Sequence, residues 1–405
     1  MDDARPAGPS FSPLDEELGL LPGRLSPGLQ RAVTWLGASL SYGQVPAIIQ
    51  MLVGVRLTVS MARRCTLQAG VALVAIEDAR VQEIEQTLPD PPVGARVQHL
   101  SVDGAMVPMR GGEWREVKTL AIGEVSAAEP GKTQHLSYVS RMQEVNRFAW
   151  SATAELHRRG TFAAEQVVAV VDGALWCQGF IDYHRPDAIR VLDFPHVVEH
   201  LSQVAQSCFG PGTAQVSEWL AQQRTTLLAG DPAVVLQAVT DLPVERAPDR
   251  QAARALRDQV HAYLQSRLAQ MTYATFQAHG LPIASGVVES ANKLVVEARL
   301  KGAGMHWAAA NVDPMLALRC AICNQTWLTV WPQISRYLRQ SARRSAPRPA
   351  PAPAQPLPIH SAPPRPRPSL PKSPYFANGK PTNNHPWKRL FPTSHRRHVP
   401  EITKK

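Results

Sequence analysis

The sequence predicts an α/β protein whose sheet begins as an antiparallel meander and continues by crossover. Three observations predict it. Between residues 97 and 141 three strand-like runs follow one another, separated by Gly111-Gly112 and Pro130-Gly131, the pattern of hairpin-linked strands. A helical segment then leads to Val167–Val171, an almost uninterrupted apolar run dense in β-branched residues. Such a run is too short for a membrane span and reads as a strand buried on both faces. Finally, the strands deliver acids: Asp103-Gly104 within the first, Asp172-Gly173 after Val171, and Asp193 after the run Ala188 to Leu192. A carboxylate at the edge of a buried strand is costly unless it is paired or holds a metal. Two Val-Asp-Gly-Ala segments in one chain therefore suggest a shared carboxylate site.

Residues 1–25 carry Pro, Gly and charge without periodicity, and disorder is expected there. Residues 26–95 read as helical. Ser26-Pro27 makes a sound helix start, and Leu29, Ala32, Val33, Leu36 and Leu40 follow at helical spacing. A helix over 41–53, a Gly-containing turn over 54–57 and a helix over 58–69 then fit a helix-turn-helix. In that reading Arg63 and Arg64 lie on phosphates or guanine edges. A plain helical hairpin with a solvated arginine pair has the same pattern, and Pro46 inside the first helix weakens the match.

Strands are expected over 97–110, 114–125 and 133–141, a helix over 143–159, and strands ending at Asp172 and Asp193 with a short connector between them. The order β-β-β-α-β-β is that of a ribonuclease H-like core, in which acids sit on the first and fourth strands. Residues 96–196 would be its first part and 197–280 a helical insertion. The chain breaks at Gly280-Leu281-Pro282, and residues 281–340 would complete the core with VVESANKLVVEARLKGAGMHW and a helical stretch from Pro314 to Leu338.

Charge is unevenly placed. From Ser341 onward there are 13 Lys and Arg against Glu401 alone, a net of +12, so the first 340 residues carry −2 of the total +10. That segment also holds 16 of the 36 prolines and is expected to be a disordered basic tail that touches DNA without sequence preference. No apolar run approaches membrane-span length, and the N-terminus lacks the basic and apolar regions of a signal peptide, so a cytosolic protein is expected. The five cysteines are scattered, and Cys320-x-x-Cys323 lacks a second pair at zinc spacing. Reduced, packed thiols are expected.

Singly, each acid has an ordinary explanation. Asp103-Gly104 could be a turn, Glu289 could offset a helix dipole, and Asp193 could cap the next helix. Together, two aspartates on core strands and a glutamate on a helix returning to the sheet can converge. Such a cluster can hold two Mg²⁺ (or Mn²⁺) ions about 3.5–4 Å apart for in-line phosphoryl displacement. Glu297 lies about 12 Å along the helix from Glu289, so only one of them can join the cluster. Glu289 is nearer the helix start and is the choice.

The stretches VDGAMVPMRGGEWREVK, VVDGALW, LDFPHVVEHL and PIASGVVESANKLVVEARLKGAGMHW, followed by VDPMLALR, CNQTW and the tail motif NNHPWKR, resemble a DDE transposase of bacterial insertion sequences, of the ISKra-type group. The resemblance covers roughly residues 25–340 and that tail motif. It implies a ribonuclease H-like core acting on terminal inverted repeats, with Asp103, Asp172 and Glu289 as catalytic and metal-binding residues. Asp193-Phe-Pro-His196 resembles the Asp/Cys-x-x-His motif of Mutator- and hAT-related transposases, which gives Asp193 and His196 supporting roles. Lys293, Arg299 and Lys301 are expected to join Arg63 and Arg64 on DNA. The implied partners are duplex DNA and further copies of the chain on it, with no membrane, in the bacterial cytoplasm at the nucleoid. The chain begins closer to the helix-turn-helix than family members usually do, so a truncated copy is also expected. Two rival readings follow: a non-catalytic DNA-binding remnant that represses its element, and a structure-specific nuclease on the same core.

Overall fold

A computed structural model of the chain describes residues 25–345 and the short strands Phe376–Ala377 and Lys380–Pro381. The expectations for residues 1–24 and for most of the basic tail lie outside the described residues. Three helices come first: α1 (Pro27–Ser39), α2 (Val45–Val53) and α3 (Val59–Thr87). Ser26 caps α1 by accepting the Leu29 N–H at 3.4 Å, and Thr58 caps α3 by accepting that of Met61 at 3.1 Å. Gly54, at φ 71°, ends α2 in the left-handed conformation a C-terminal glycine permits. Leu25, Val33, Val45, Ile49, Ala62 and Cys65 close a small apolar core among them.

Helix α3 does not stop near Ala69, as the sequence suggested, but continues to Thr87. The reason is tertiary. Ala69, Ala72, Leu73, Val81 and Ile84 remain buried along the extension. Gly70 lets the backbone of another helix approach: a Cβ there would lie 2.3 Å from the carbonyl oxygen of Pro314. Gly37 does the same on α1, where a Cβ would meet Thr66 Oγ1 at 2.1 Å. Among the described residues α3 is also the one helix long and apolar enough, by length and composition, to cross a membrane. Only the folded packing shows that its buried side is matched by other parts of this chain.

The sheet holds β1 (Val97–Pro108), β2 (Trp114–Val125), β3 (Thr133–Arg141), β4 (Gln166–Val171) and β5 (Ile189–Leu192), in the order β3-β2-β1-β4-β5. The first three strands are antiparallel, and β4 and β5 run parallel to β1. Gly111 and Gly112, at φ 98° and 90°, turn β1 into β2. The crossovers are α4 (Val145–Arg158) and α5 (Leu175–His184). The second is a helix where the sequence suggested only a short connector. The chain is therefore an α/β protein with a mixed five-stranded sheet.

Each face of the sheet is covered. On one, Leu100, Val102, Leu120, Ile122, Ala169 and Val171 pack with Phe148, Leu156 and Phe180 of the crossover helices. The other is divided. Its β1–β2 side, with Ala105, Val107, Val117 and Ala121, packs on α3 and on the C-terminal helices. Its β4–β5 side, with Val168, Val170 and Val191, packs on α6 (Phe194–Phe209), α7 (Ala214–Ala229), α8 (Pro232–Thr240), α9 (Arg250–Gln265) and α10 (Tyr273–Ala278). The helical stretch expected as an insertion thus covers half of one sheet face.

After α10 comes α11 (Gly286–Ala291), which widens into a π-helical stretch, Asn292–Glu297, before Ala298–Leu300. The long final helix expected from the sequence is two, α12 (Val312–Cys323) and α13 (Trp327–Ser345). The break at Asn324 is tied to β3, because its side chain accepts the Tyr138 N–H at 2.8 Å and donates to the Tyr138 carbonyl at 2.9 Å. All five cysteines are free.

His99, on β1, gives the fold a pH dependence. Burial pushes its pKa down to about 3. Its Nδ1 meets Thr133 Oγ1 at 2.8 Å, while its Nε2 is buried without a hydrogen-bond partner. The folded state therefore holds the neutral ring, whereas the unfolded chain takes up a proton below about pH 6.5. Its stabilising contribution is complete above that value and is lost as pH falls toward 3. We expect His99→Gln to remove about 1.4 kcal/mol per pH unit of slope from unfolding free energy below about pH 6.5. Equal slopes in denaturant titrations of the two proteins would contradict this.

Candidate active site

The parallel pairing of β1 with β4 runs toward two of the three acids. Leu100 pairs with Ala169, and Asp103 and Asp172 each lie three residues further along their chains. Ser101, on the same sheet face, donates its hydroxyl to the Val170 carbonyl at 2.5 Å, which holds that alignment one step before the acids. Asp172 follows the end of β4. Its Oδ1 accepts the Ala174 N–H at 2.9 Å and the Cys177 thiol at 3.4 Å, so the carboxylate is held at the mouth of the β4–α5 turn.

Glu289 comes from α11, which begins against the same face. It is exposed, and Asn292, three residues on, turns inward and donates from Nδ2 to Asp103 Oδ2 at 2.9 Å. Asp103 itself is held away from its ordinary protonation behaviour. Burial raises its pKa, and the charges of Asp172 and Glu289 raise it further, while the Gly104 N–H and His196 oppose them. Glu297 points elsewhere in function, since it pairs with Lys301 at 2.7 Å.

Asp193 joins the site to the helix that carries Glu289. It is buried, and its Oδ2 accepts the His196 N–H at 3.1 Å as the cap of α6. Its Oδ1 accepts the Ser285 N–H at 2.7 Å, which pins the residue preceding α11. Burial pushes its pKa up, against the pull of those N–H groups. The capping role weighed for Asp193 is the one its side chain plays.

The helical layer supplies a further wall that the sequence did not disclose. His196 packs edge-on against His200 at 5.1 Å, and His200 lies on Tyr263 at 4.7 Å. Burial and the nearby His196 hold the His200 pKa down. Tyr263 donates its hydroxyl to the Asp172 carbonyl, and Arg267, stacked on Tyr263 at 4.2 Å, donates to the Gly173 carbonyl at 2.8 Å. Asn292 could have been found from its i, i+3 spacing to Glu289. Tyr263 and Arg267 carried no such signal, because their partners lie 91 and 94 residues away.

Gly173 is what permits this contact. Its φ is 81°, and a Cβ would lie 2.7 Å from Arg267 Nε and 2.8 Å from both Leu192 Cδ1 and the Tyr263 hydroxyl. Gly173→Ala is expected to cost about 1–3 kcal/mol in stability and to displace Asp172. Urea denaturation measures the first, and a midpoint matching wild type would contradict it.

The expected DNA contacts separate. Arg63, Arg64 and Lys293 are exposed, and Lys301 is engaged by Glu297. The expectation for Arg299 as a surface contact is corrected. It is only 2% exposed, its Nε and Nη2 both donate to the Gly37 carbonyl at 3.1 Å, and it lines a cavity with Arg63.

The acids supply only oxygen donors, the chemistry that suits Mg²⁺ or Mn²⁺. Among the described residues no group of three or more His, Cys, Asp or Glu side chains is gathered so as to hold a metal ion by itself. Mg²⁺ does not need one, being held through one or two carboxylates with waters and substrate phosphates. The mutually repelling carboxylates around Asp103 fit such a cation. No family model and no curated protein matches the sequence.

Proposed function

We propose that the chain is a DDE-type DNA transposase, with a ribonuclease H-like core and a helix-turn-helix formed by α2 and α3. The observation that supports the reading is geometric: β1, which carries Asp103, lies parallel to β4, which ends just before Asp172, and Asn292 of the Glu289 helix donates to Asp103 at 2.9 Å. The three acids come from the first strand of the meander, the end of the fourth strand and a returning helix. The strand order β3-β2-β1-β4-β5, antiparallel and then parallel, supports the core assignment. The short α2, the five-residue turn 54–58 and the exposed Arg63-Arg64 pair support the DNA-binding assignment.

In this reading Asp103, Asp172 and Glu289 would hold Mg²⁺ or Mn²⁺, two ions in all, which would supply Lewis-acid chemistry for phosphodiester hydrolysis and strand transfer. The protein's own part is positional. Asn292 orients the Asp103 carboxylate, the Ala174 N–H and Cys177 orient that of Asp172, and Asp193 sets the start of the Glu289 helix. Arg63, Arg64 and Lys293 face the backbone of duplex DNA, in the terminal repeats and the target. Copies of the chain assemble on the two ends, in the bacterial cytoplasm and without a membrane.

The test is cleavage and strand transfer on linear DNA bearing the flanking ends of this gene's own element, with Mg²⁺ and with EDTA. Metal-dependent nicking at the repeat ends, followed by joining, is expected. Cutting without joining or end preference would make the chain a nuclease, and binding without cutting under any metal would make it a regulator.

A further inference from the structure

Past the C-terminal end of β1, a cavity of about 330 Å³ opens where the N-terminal helices meet the β1–β2 hairpin. Arg63 of α3, Arg110 of the hairpin, Arg299 and His306 line it with Tyr42 and Trp307, and no acidic residue does. Arg299 is the informative member. It is 2% exposed, yet among the described residues its guanidinium meets only the Gly37 carbonyl, the Met305 sulfur at 3.7 Å, and the rings of Tyr42 and Trp307 at 4.8 and 5.1 Å. Among the described residues none of the three arginines enters an ion pair. The buried Arg319, held by the Leu294 and Val295 carbonyls, adds positive charge nearby.

A buried cation without a counter-charge is unfavourable until an anion reaches it. The Tyr42 hydroxyl is likewise buried without a hydrogen-bond partner. Burial keeps it protonated, with a pKa pushed up to about 12 against the pull of Arg299 and Arg63. It is a free donor at neutral pH.

We infer that this cavity is an anion site, separate from the carboxylate cluster, that receives a phosphate of a nucleic-acid backbone. Arg63 and Arg110 close on the phosphate from the open side, over the fixed charge of Arg299 and the Tyr42 hydroxyl. The cavity exceeds what an isolated phosphate fills. Arg110 stands seven residues from Asp103 along extended chain, roughly 20 Å, so the site would hold the duplex several base pairs from the bond that is cut. The inference rests on the DNA-directed reading for its occupant, and on the cavity alone for its chemistry.

The test uses the full chain in EDTA, where binding is read without cleavage. Arg63→Ala and Arg110→Ala are compared with Arg224→Ala, which removes an exposed charge on α7 outside the cavity. Because all three positions are exposed, folding is preserved, and unfolding midpoints check it. Each cavity variant is expected to weaken duplex binding about five- to tenfold more than Arg224→Ala and to lower the salt slope by about one. Inorganic pyrophosphate should compete with DNA for wild type and lose that competition in Arg110→Ala. Pyrophosphate binding lost in the variants while DNA affinity matches the control would make the occupant a small phosphate and overturn the inference. So would variants indistinguishable from Arg224→Ala in both measurements. A chain that shows the expected binding but never cleaves keeps this site and loses the catalytic reading.

Discussion

Asp103→Asn, Asp172→Asn and Glu289→Gln should each lower Mg²⁺-dependent cleavage by about 10³-fold or more, while duplex binding in EDTA stays at the wild-type level. That loss corresponds to about 4 kcal/mol of transition-state stabilisation, within what bound metal supplies. The stability of the variants separates this role from a structural one. In the folded protein Asp103 has its pKa raised, chiefly by burial and then by Asp172 and Glu289. An acid with a raised folded pKa opposes folding above that pKa, and the penalty fades as pH falls from there to the ordinary carboxylate value, below which it is gone. Asp103→Asn should therefore unfold at the same or higher denaturant concentration than wild type at neutral pH. The asparagine can still accept the Asn292 amide. Mg²⁺ should raise the wild-type midpoint and leave that of the variant unchanged. Near-normal cleavage by Glu289→Gln would remove Glu289 from the site, and the engagement of Glu297 by Lys301 leaves no obvious replacement on that helix.

Asp193→Ala should be the most damaging single change to the fold around the site, at about 2–4 kcal/mol. Asp193 is 3% exposed and satisfies N–H groups of two elements, His196 of α6 and Ser285 before α11. Losing the cap costs about 1 kcal/mol, and a buried N–H left without an acceptor costs about 1–3 kcal/mol more. Asp193→Asn retains an acceptor and should lose less than half as much. Chemical denaturation gives the order of the two variants. If Asp193→Ala proved as stable as wild type, the link between β5 and the Glu289 helix would not be what holds that helix. Cleavage by the alanine variant should fall even where it remains folded, because Glu289 would no longer be held toward Asp103.

The legibility of this protein divides by distance along the chain. The strand boundaries of β2 and β3 were readable to the residue, because glycine and proline turns bracket their apolar runs. The α4 crossover and β4 were readable within two residues for the same reason. The repeated Val-Asp-Gly-Ala segments around Asp103 and Asp172 were readable, but only the structure showed that their strands, β1 and β4, are parallel neighbours. The end of α3 was not readable, because the fit of Gly70 against Pro314 depends on a helix more than 200 residues later. The break at Asn324 has the same cause, being stabilised by Tyr138 of β3. Arg299 looked like a surface cation because a sequence shows its charge and not its burial.

The sequence by itself determined the α/β class, the order of strands and the identity of the acids placed at their edges. Those features follow from local chemistry: β-branched runs favour strands, Gly and Pro interrupt them, and a carboxylate beside a buried strand demands a reason. Only the tertiary structure decided that Asp193 holds the start of the Glu289 helix, that Tyr263 and Arg267 reach the Asp172–Gly173 backbone, and that Arg299, buried, lines a cavity. Each of these is a contact between groups far apart in the chain, and no local propensity encodes which distant partner will satisfy a buried polar group.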